Sequence, residues 1–334
     1  MSSRLILLLI SLGSQLSAQS LQRFEAVEPH MGTLFRIELY TADSREAQAA
    51  FHDAFERIAE LDEKLSDYKP DSELNRLTRD AVHHPVPVSD DLLRVLSAAQ
   101  TLSEKTDGAF DITVGALTHL WRDARRRNQM PDEAAVAAAK DRCGFRKMHL
   151  HGAAHTVELD QPGMQLDAGA IAKGDAADQA LLILSAHGIK SALVAASGDL
   201  AFSDPPPGQA GWKIGLDSFD KANSAFTRVL VLANAAVSTS GPSEQYFDSG
   251  GKRYSHIVDP VSGTGLTEEL TVSVVAPRGI DADSFATAVS VLGPARGLAF
   301  IEKQPGTSAV VLTVENGKSR IVESSAFEKL PAAQ

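Results

Sequence analysis

The sequence predicts an α+β fold, and three observations carry that prediction. Strand-like and helix-like segments are interleaved without a strict strand–helix–strand rhythm. Turn sequences such as Pro29–Thr33 and Asn316-Gly317 stand between strand segments, and Asn-Gly is a strong hairpin signal. The 334 residues are 43% hydrophobic and 22% charged, which suits a globular chain with a sizeable core.

Taken in order, Leu21–Tyr40 reads as two strands around the Pro29–Thr33 turn, with clean alternation in the stretch ending at Tyr40. Asp43-Ser44 caps a helix to about Lys64, whose apolar positions are Ala47, Phe51, Phe55, Ile58 and Leu61. Residues 66–77 form a polar turn and a short helix; Tyr68 in that turn reads as a surface tyrosine. Ser89 caps a further amphipathic helix that ends near Gly108. In the following segment Phe110, Ile112 and Val114 alternate with Asp111 and Thr113, and Asp111 reads first as a cap. The basic stretch Arg122–Pro131 reads as a solvated loop. His149 and His151 share a strand face, at a spacing that suits either a metal or an exposed hairpin, and the hairpin is the simpler reading. Ala176–His187 is a helix closed by Gly188, followed by a buried strand around Val194. Strands are expected over Trp212–Leu216 and Arg228–Leu232, then a polar loop over Ala236–Tyr246. A strand from Arg253 places Tyr254, His256 and Val258 on one face; for His256 a structural and a chemical role both stand open. The chain finishes with a buried strand near Val272, helices over Asp281–Leu292 and Pro294–Lys303, and the Asn-Gly hairpin.

The segment with most chemistry is Leu166–Asp178. It is a small-residue turn feeding a helix, flanked by Asp167 and Lys173. Small side chains admit a ligand close to the backbone, and free amides at a helix start suit phosphate. Near the C-terminus, Asp283 and Thr287 lie four residues apart and so on one helix face. A carboxylate and a hydroxyl so placed can coordinate a hard cation such as Mg²⁺.

Composition excludes other classes. A net charge of −11 disfavours non-specific binding to nucleic acid or anionic membrane. Cys143 is the single cysteine, so neither an intramolecular disulfide nor a CxxC site exists. Arg4, the apolar run Leu5–Leu12 and Ser17-Ala18 read as a cleavable signal peptide over residues 1–18, leaving 19–334 as one domain. The expected location is the periplasm or another exported compartment. No later stretch approaches about 18 unbroken apolar residues, so no transmembrane segment is expected.

Six stretches in order resemble the ApbE family of FAD:protein FMN transferases: residues 31–33, 66–77, 106–117, 166–178, the segment from Ser238 to Gly263, and 282–293. The resemblance runs nearly the length of the mature chain. It implies mixed, largely antiparallel sheets flanked by helices. It also implies Mg²⁺-dependent transfer of FMN from FAD to a Thr or Ser hydroxyl of a target flavoprotein, with release of AMP. Carried over by motif, Met31, Tyr68, Ala109, Phe110, Asp111, Asp167, Lys173 and Ile257 line the FAD site. The Ala170 carbonyl, Asp283 and Thr287 hold Mg²⁺, and His256 is the candidate base. Three departures from the family pattern are Asp175, Ser243 and the Ser284-Phe285 pair; the first two are expected to bear on how the flavin or adenine is held, or on which acceptor enters. Two competing readings are an Mg²⁺-dependent FAD pyrophosphatase, which would use the same site, and an exported FAD-binding protein without chemistry, against which the presence of Asp283, Thr287 and His256 argues.

Overall fold

A computed structural model describes residues 20–217, 227–241, 246–315 and 318–333. The expected signal peptide, Ser243 and the expected Asn316-Gly317 turn lie outside the described residues. The N-terminal hairpin pairs β1 (Gln22–His30) with β2 (Thr33–Thr41). Its two-residue turn puts both Met31 (φ 48°) and Gly32 (φ 73°) in the left-handed region, as a tight hairpin requires. There follow α1 (Ser44–Leu65), α2 (Glu73–Asp80), β3 (Val86–Pro87), α3 (Asp90–Thr106), α4 (Gly115–Arg127) and α5 (Glu133–Asp141). Next come β4 (Met148–His151), β5 (Thr156–Leu159), α6 (Ala172–Ala186), β6 (Ala192–Ala196), β7 (Asp199–Phe202), β8 (Trp212–Asp217) and β9 (Thr227–Leu232). The remainder is β10 (Ala235–Ser240), β11 (Tyr246–Ser249), β12 (Lys252–Ser255), β13 (Leu270–Ala276), α7 (Gly279–Ile301), β14 (Ser308–Glu315) and β15 (Lys318–Glu323).

Among the described residues, eight strands form one antiparallel sheet in the order β1-β2-β6-β7-β10-β13-β14-β15. This is the expected α+β architecture. Helices α1, α6 and α7 cover one face. The β8–β9 ribbon and Phe327 cover the other. Strands β6, β13 and β14 therefore read as continuous apolar runs: Val194, Val272 and Val311 face the helices, while Leu193, Val275 and Val310 face the ribbon. A third cluster packs Leu117 and Trp121 of α4 against Ala139, Phe247 and Val258.

Three expectations change. The Ala236–Tyr246 stretch is not one loop: residues 235–240 are β10, a central strand. Its small, polar residues fit because Thr239 and Ser273 exchange a side-chain hydrogen bond at 2.9 Å and Ser238 donates to Asp199. The Arg122–Pro131 stretch is not a loop, since α4 runs on to Arg127 and stops at left-handed Asn128. Helix α6 begins at Ala172, four residues earlier than its apolar pattern indicates, because its start is held from outside the helix.

That holding occurs where α6 crosses α7. A Cβ on Gly174 would lie 2.1 Å from the Gly279 carbonyl oxygen, and one on Gly279 would lie 2.4 Å from the Gly174 oxygen. Only two glycines permit this approach. Each helix then caps the other. Asp178 of α6 accepts the Gly279 and Ile280 amides at 2.6 and 3.0 Å. Asp283 of α7 accepts the Gly174 amide at 3.0 Å. Helix α7 has the length and mean hydropathy of a membrane span, yet over half of its most apolar window is buried in the core. It is broken at Gly293 (φ 73°), ahead of Pro294, which separates the two expected C-terminal helices.

Gly279→Ala is expected to destabilise the protein by about 3 kcal/mol or more, read as a lower urea midpoint, because the contacted atom is rigid backbone. A second expectation concerns Asp178, whose carboxyl burial pushes up to about 6, outweighing the amides it accepts. In the unfolded chain it titrates near ~4. Its stabilising share is thus fully present below about pH 4 and is lost as pH rises through about 6. Asp178→Asn should flatten the fall in Tm across that window; an unchanged slope would assign the titration elsewhere.

Candidate active site

The twelve site residues that the family resemblance implies come to one place. A cavity of about 780 Å³ opens where loops from both ends of the chain meet the α6–α7 crossing. Met31, Tyr68, Ala109, Phe110, Asp111, Asp167, Ala170, Lys173, His256, Ile257, Asp283 and Thr287 all line it.

One end is built on the crossing. Asp283 is buried, and Thr287 stands one turn further along α7. Gly174 is the third residue of α6, so its amide has no partner within the helix, and Asp283 accepts it. Among the described residues no backbone amide outside the helices and strands donates to Ala170. A carboxylate, a hydroxyl and an undersubscribed carbonyl are hard oxygen donors, and this set fits Mg²⁺. The Lys173 ammonium sits 2.8 Å from Asp199 and 3.8 Å from Asp283, and donates to the Gly169 carbonyl at 3.3 Å. Burial works against its charge, but Asp199 and Asp283 outweigh burial and hold its pKa above the ordinary lysine value. Burial, and then repulsion from Asp199, pushes the Asp283 carboxyl up. Asp199 is itself fixed by the Ser238 hydroxyl at 2.5 Å.

The other end is built on the loop after α1 and on α4. Tyr68 is 70% exposed, with the Arg122 guanidinium 4.3 Å from its ring centroid. One face of the ring is thus covered, and the exposed ring lines the cavity mouth, not an ordinary surface. Arg122 also binds Asp67 and, at 2.7 Å, Asp167. Asp167 further accepts the Thr118 hydroxyl at 2.7 Å and the Gly169 amide at 2.9 Å.

Several side chains do other work than expected. Asp111 spends its carboxylate on the Thr113 amide and hydroxyl and on the Phe145 amide, so it caps a turn at the cavity wall. Burial raises its pKa against those bonds. The strand from Arg253 stops at Ser255, and His256 sits in a bend, not on a strand face with Tyr254 and Val258. The bend is set by the Ser255 hydroxyl, which accepts the Ile257 amide at 3.1 Å, and by the Leu266 amide bonding the Ile257 carbonyl. His256 is exposed there, at the cavity. Asp259 accepts the Val261 and Ser262 amides, a local turn. Asp175 does not line the cavity: it is buried and takes a two-pronged bond from Arg94 of α3 at 2.8 and 2.9 Å. Ser284 bonds the Ile280 carbonyl and Phe285 packs edge-on against Phe300, both away from ligand. His149 and His151 lie on an exposed hairpin as expected, but with carboxylates beside them: Asp160 at 2.6 Å and Glu158 at 4.0 Å.

Sequence reasoning missed Arg122, Arg125, Asp67 and Asp199, which all line the cavity. A signal existed for the arginines. Ala116, Leu117, Leu120, Trp121 and Ala124 keep helical spacing through the basic stretch. Nothing in the sequence distinguishes Asp67 or Asp199 from other loop aspartates.

The sequence pattern of the ApbE family matches residues 31–312. The chain belongs to the ApbE family. A FAD:protein FMN transferase of Treponema pallidum is 36% identical over 323 residues, covering 92% of this chain and 89% of that protein. One of Klebsiella pneumoniae is 30% identical, covering 86% and 83%. Among solved structures, the flavin transferase ApbE of Vibrio cholerae superposes with a TM-score of 0.84 at 26% identity, covering 93% of this chain and 99% of that one. The apo form of the Pseudomonas stutzeri flavinyl transferase ApbE gives 0.84 at 28%, covering 95% and 99%. The ApbE fold thus accounts for the whole sheet, not only for the motifs.

Proposed function

We propose that this protein is an Mg²⁺-dependent FAD:protein FMN transferase that acts on a flavoprotein in an exported compartment. One observation carries the reading: a single cavity joins a hard-oxygen set and a half-buried lysine at one end to an open aromatic face at the other. A dinucleotide of flavin, diphosphate and adenine matches that order of chemistry. The ApbE relatives named above support it.

The Ala170 carbonyl, Asp283 and Thr287 would hold Mg²⁺, which when bound neutralises diphosphate charge as the P–O bond breaks. Two carboxylates, Asp199 and Asp283, against Lys173 leave that end one negative charge, which suits a divalent cation. With the cation added, the same end becomes positive and suits a diphosphate. Lys173, pinned by Asp199, keeps its proton and serves as fixed positive charge. Tyr68 offers its uncovered face to a planar ring. His256 lies exposed where an acceptor hydroxyl would enter. A neutral imidazole there takes the hydroxyl proton as oxygen attacks the FMN phosphorus. The new bond is the protein–FMN phosphoester; the bond broken releases AMP.

The deciding experiment is mass spectrometry of a Thr-containing acceptor domain after incubation with mature protein, FAD and Mg²⁺. The expected outcome is a mass increase of one FMN, absent without Mg²⁺ and absent with Asp283→Ala. Free FMN and AMP without adduct, on two different acceptors, would establish hydrolysis instead; unchanged FAD would leave a binding protein. His256→Ala should lower the transfer rate about a hundredfold or more while leaving the Kd for FAD within about threefold. Equal losses in both would make His256 a binding residue.

A further inference from the structure

We propose that Arg122 is the positioning residue that holds the aromatic end of this cavity in register with its phosphate end. The inference rests on the FAD reading above and adds a residue to it.

Three contacts converge on one guanidinium. One nitrogen donates to Asp67, the residue before Tyr68. The other donates to Asp167 at 2.7 Å, at the start of the loop that carries Ala170 into α6. The flat face lies over the Tyr68 ring, 4.3 Å from its centroid. The edge of the fork therefore takes two carboxylates from two loops, while its face takes the ring. Lysine, a point charge on a flexible stem, cannot do both.

The two loops are otherwise far apart in the chain, at residues 66–70 and 167–171. Each is anchored on its outer side. Asn75 of α2 donates to the carbonyls of Asp67 and Lys69 at 3.0 and 2.9 Å, and His119 lies 3.2 Å from the Asp67 carboxylate. Asp167 is tied to Thr118 and Gly169, and the loop beyond is tied through Gly174 to Asp283. Arg122 links these anchored halves. Burial disfavours its charge, but Asp167 and Asp67 outweigh burial and hold it fully protonated. One nitrogen is spent on Asp67, another on Asp167 and one face on Tyr68, and it is through these three that Arg122 acts on FAD.

The test is a double-mutant cycle on FAD affinity, followed by flavin fluorescence, with Arg122→Lys, Tyr68→Ala and the double variant. Arg122→Lys keeps the charge and breaks the fork. Each single change should weaken FAD binding about tenfold, and the double change should lose at least about fivefold less than the product of the two. At saturating FAD, kcat for Arg122→Lys should stay within about threefold of wild type. Multiplicative losses would mean that Arg122 contacts FAD itself; unchanged affinity would mean that it positions nothing; either result overturns the proposal. Should Arg122→Lys fail to fold by near-ultraviolet circular dichroism, Arg122→Gln, which keeps a planar donor, replaces it in the same cycle. Wild-type protein that binds no FAD would instead defeat the transferase reading, a result distinguishable from any loss confined to the variants.

Discussion

The Gly174–Gly279 contact sets the rest of the molecule. Backbone meets backbone there, so α6 and α7 cross closely enough for each to cap the other's N-terminus. Capping aspartates are ordinary, but these reach across between two helices, 101 and 109 residues away in sequence. The consequence is chemical. Asp283 takes an amide from the first turn of α6, and Ala170, just ahead of that turn, lines the cavity with this buried carboxylate. A structural cap and a candidate metal ligand are the same group.

Around that fixed point, the cavity divides its work by charge. The lysine–aspartate cluster at the crossing is polar and buried, where electrostatic interactions are strong and an unmatched charge is costly. The tyrosine end is open and aromatic. The whole chain is acidic and so is the cavity lining, where Asp62, Asp67, Asp111, Asp167, Asp199 and Asp283 stand against Lys69, Lys173, Arg122 and Arg125. A net charge of −11 disfavours non-specific binding to nucleic acid and says nothing against an anionic ligand held at one specific site.

Where expectation and structure part, the cause is long-range contact. Residues 235–240 look like a loop because serine and threonine are common in loops; they are a strand because neighbours on both sides supply hydrogen bonds. Asp175 follows the small-residue turn and so seemed to face ligand. Its helix turns it outward to Arg94, 81 residues away in sequence, which satisfies a buried carboxylate that would otherwise be costly. The stretch after Trp121 is basic enough to read as a loop, yet Ala124 continues the helical spacing of Leu117, Leu120 and Trp121, and α4 runs to Arg127.

By itself the sequence determined the α+β class and most of the helices and strands; the twelve residues that meet at the cavity were legible through the ordered motifs it shares with the ApbE family. Alternation, caps and ordered motifs are local properties, and local properties are written in residue types. It did not determine Arg122's bridge, Asp199's hold on Lys173, or the amides that Asp178 and Asp283 take from the facing helix. Those belong to pairs of segments distant in the chain. Which carboxylate an arginine finds, or which amide an aspartate captures, is decided only when packing brings the partners within hydrogen-bond distance and removes water as the alternative.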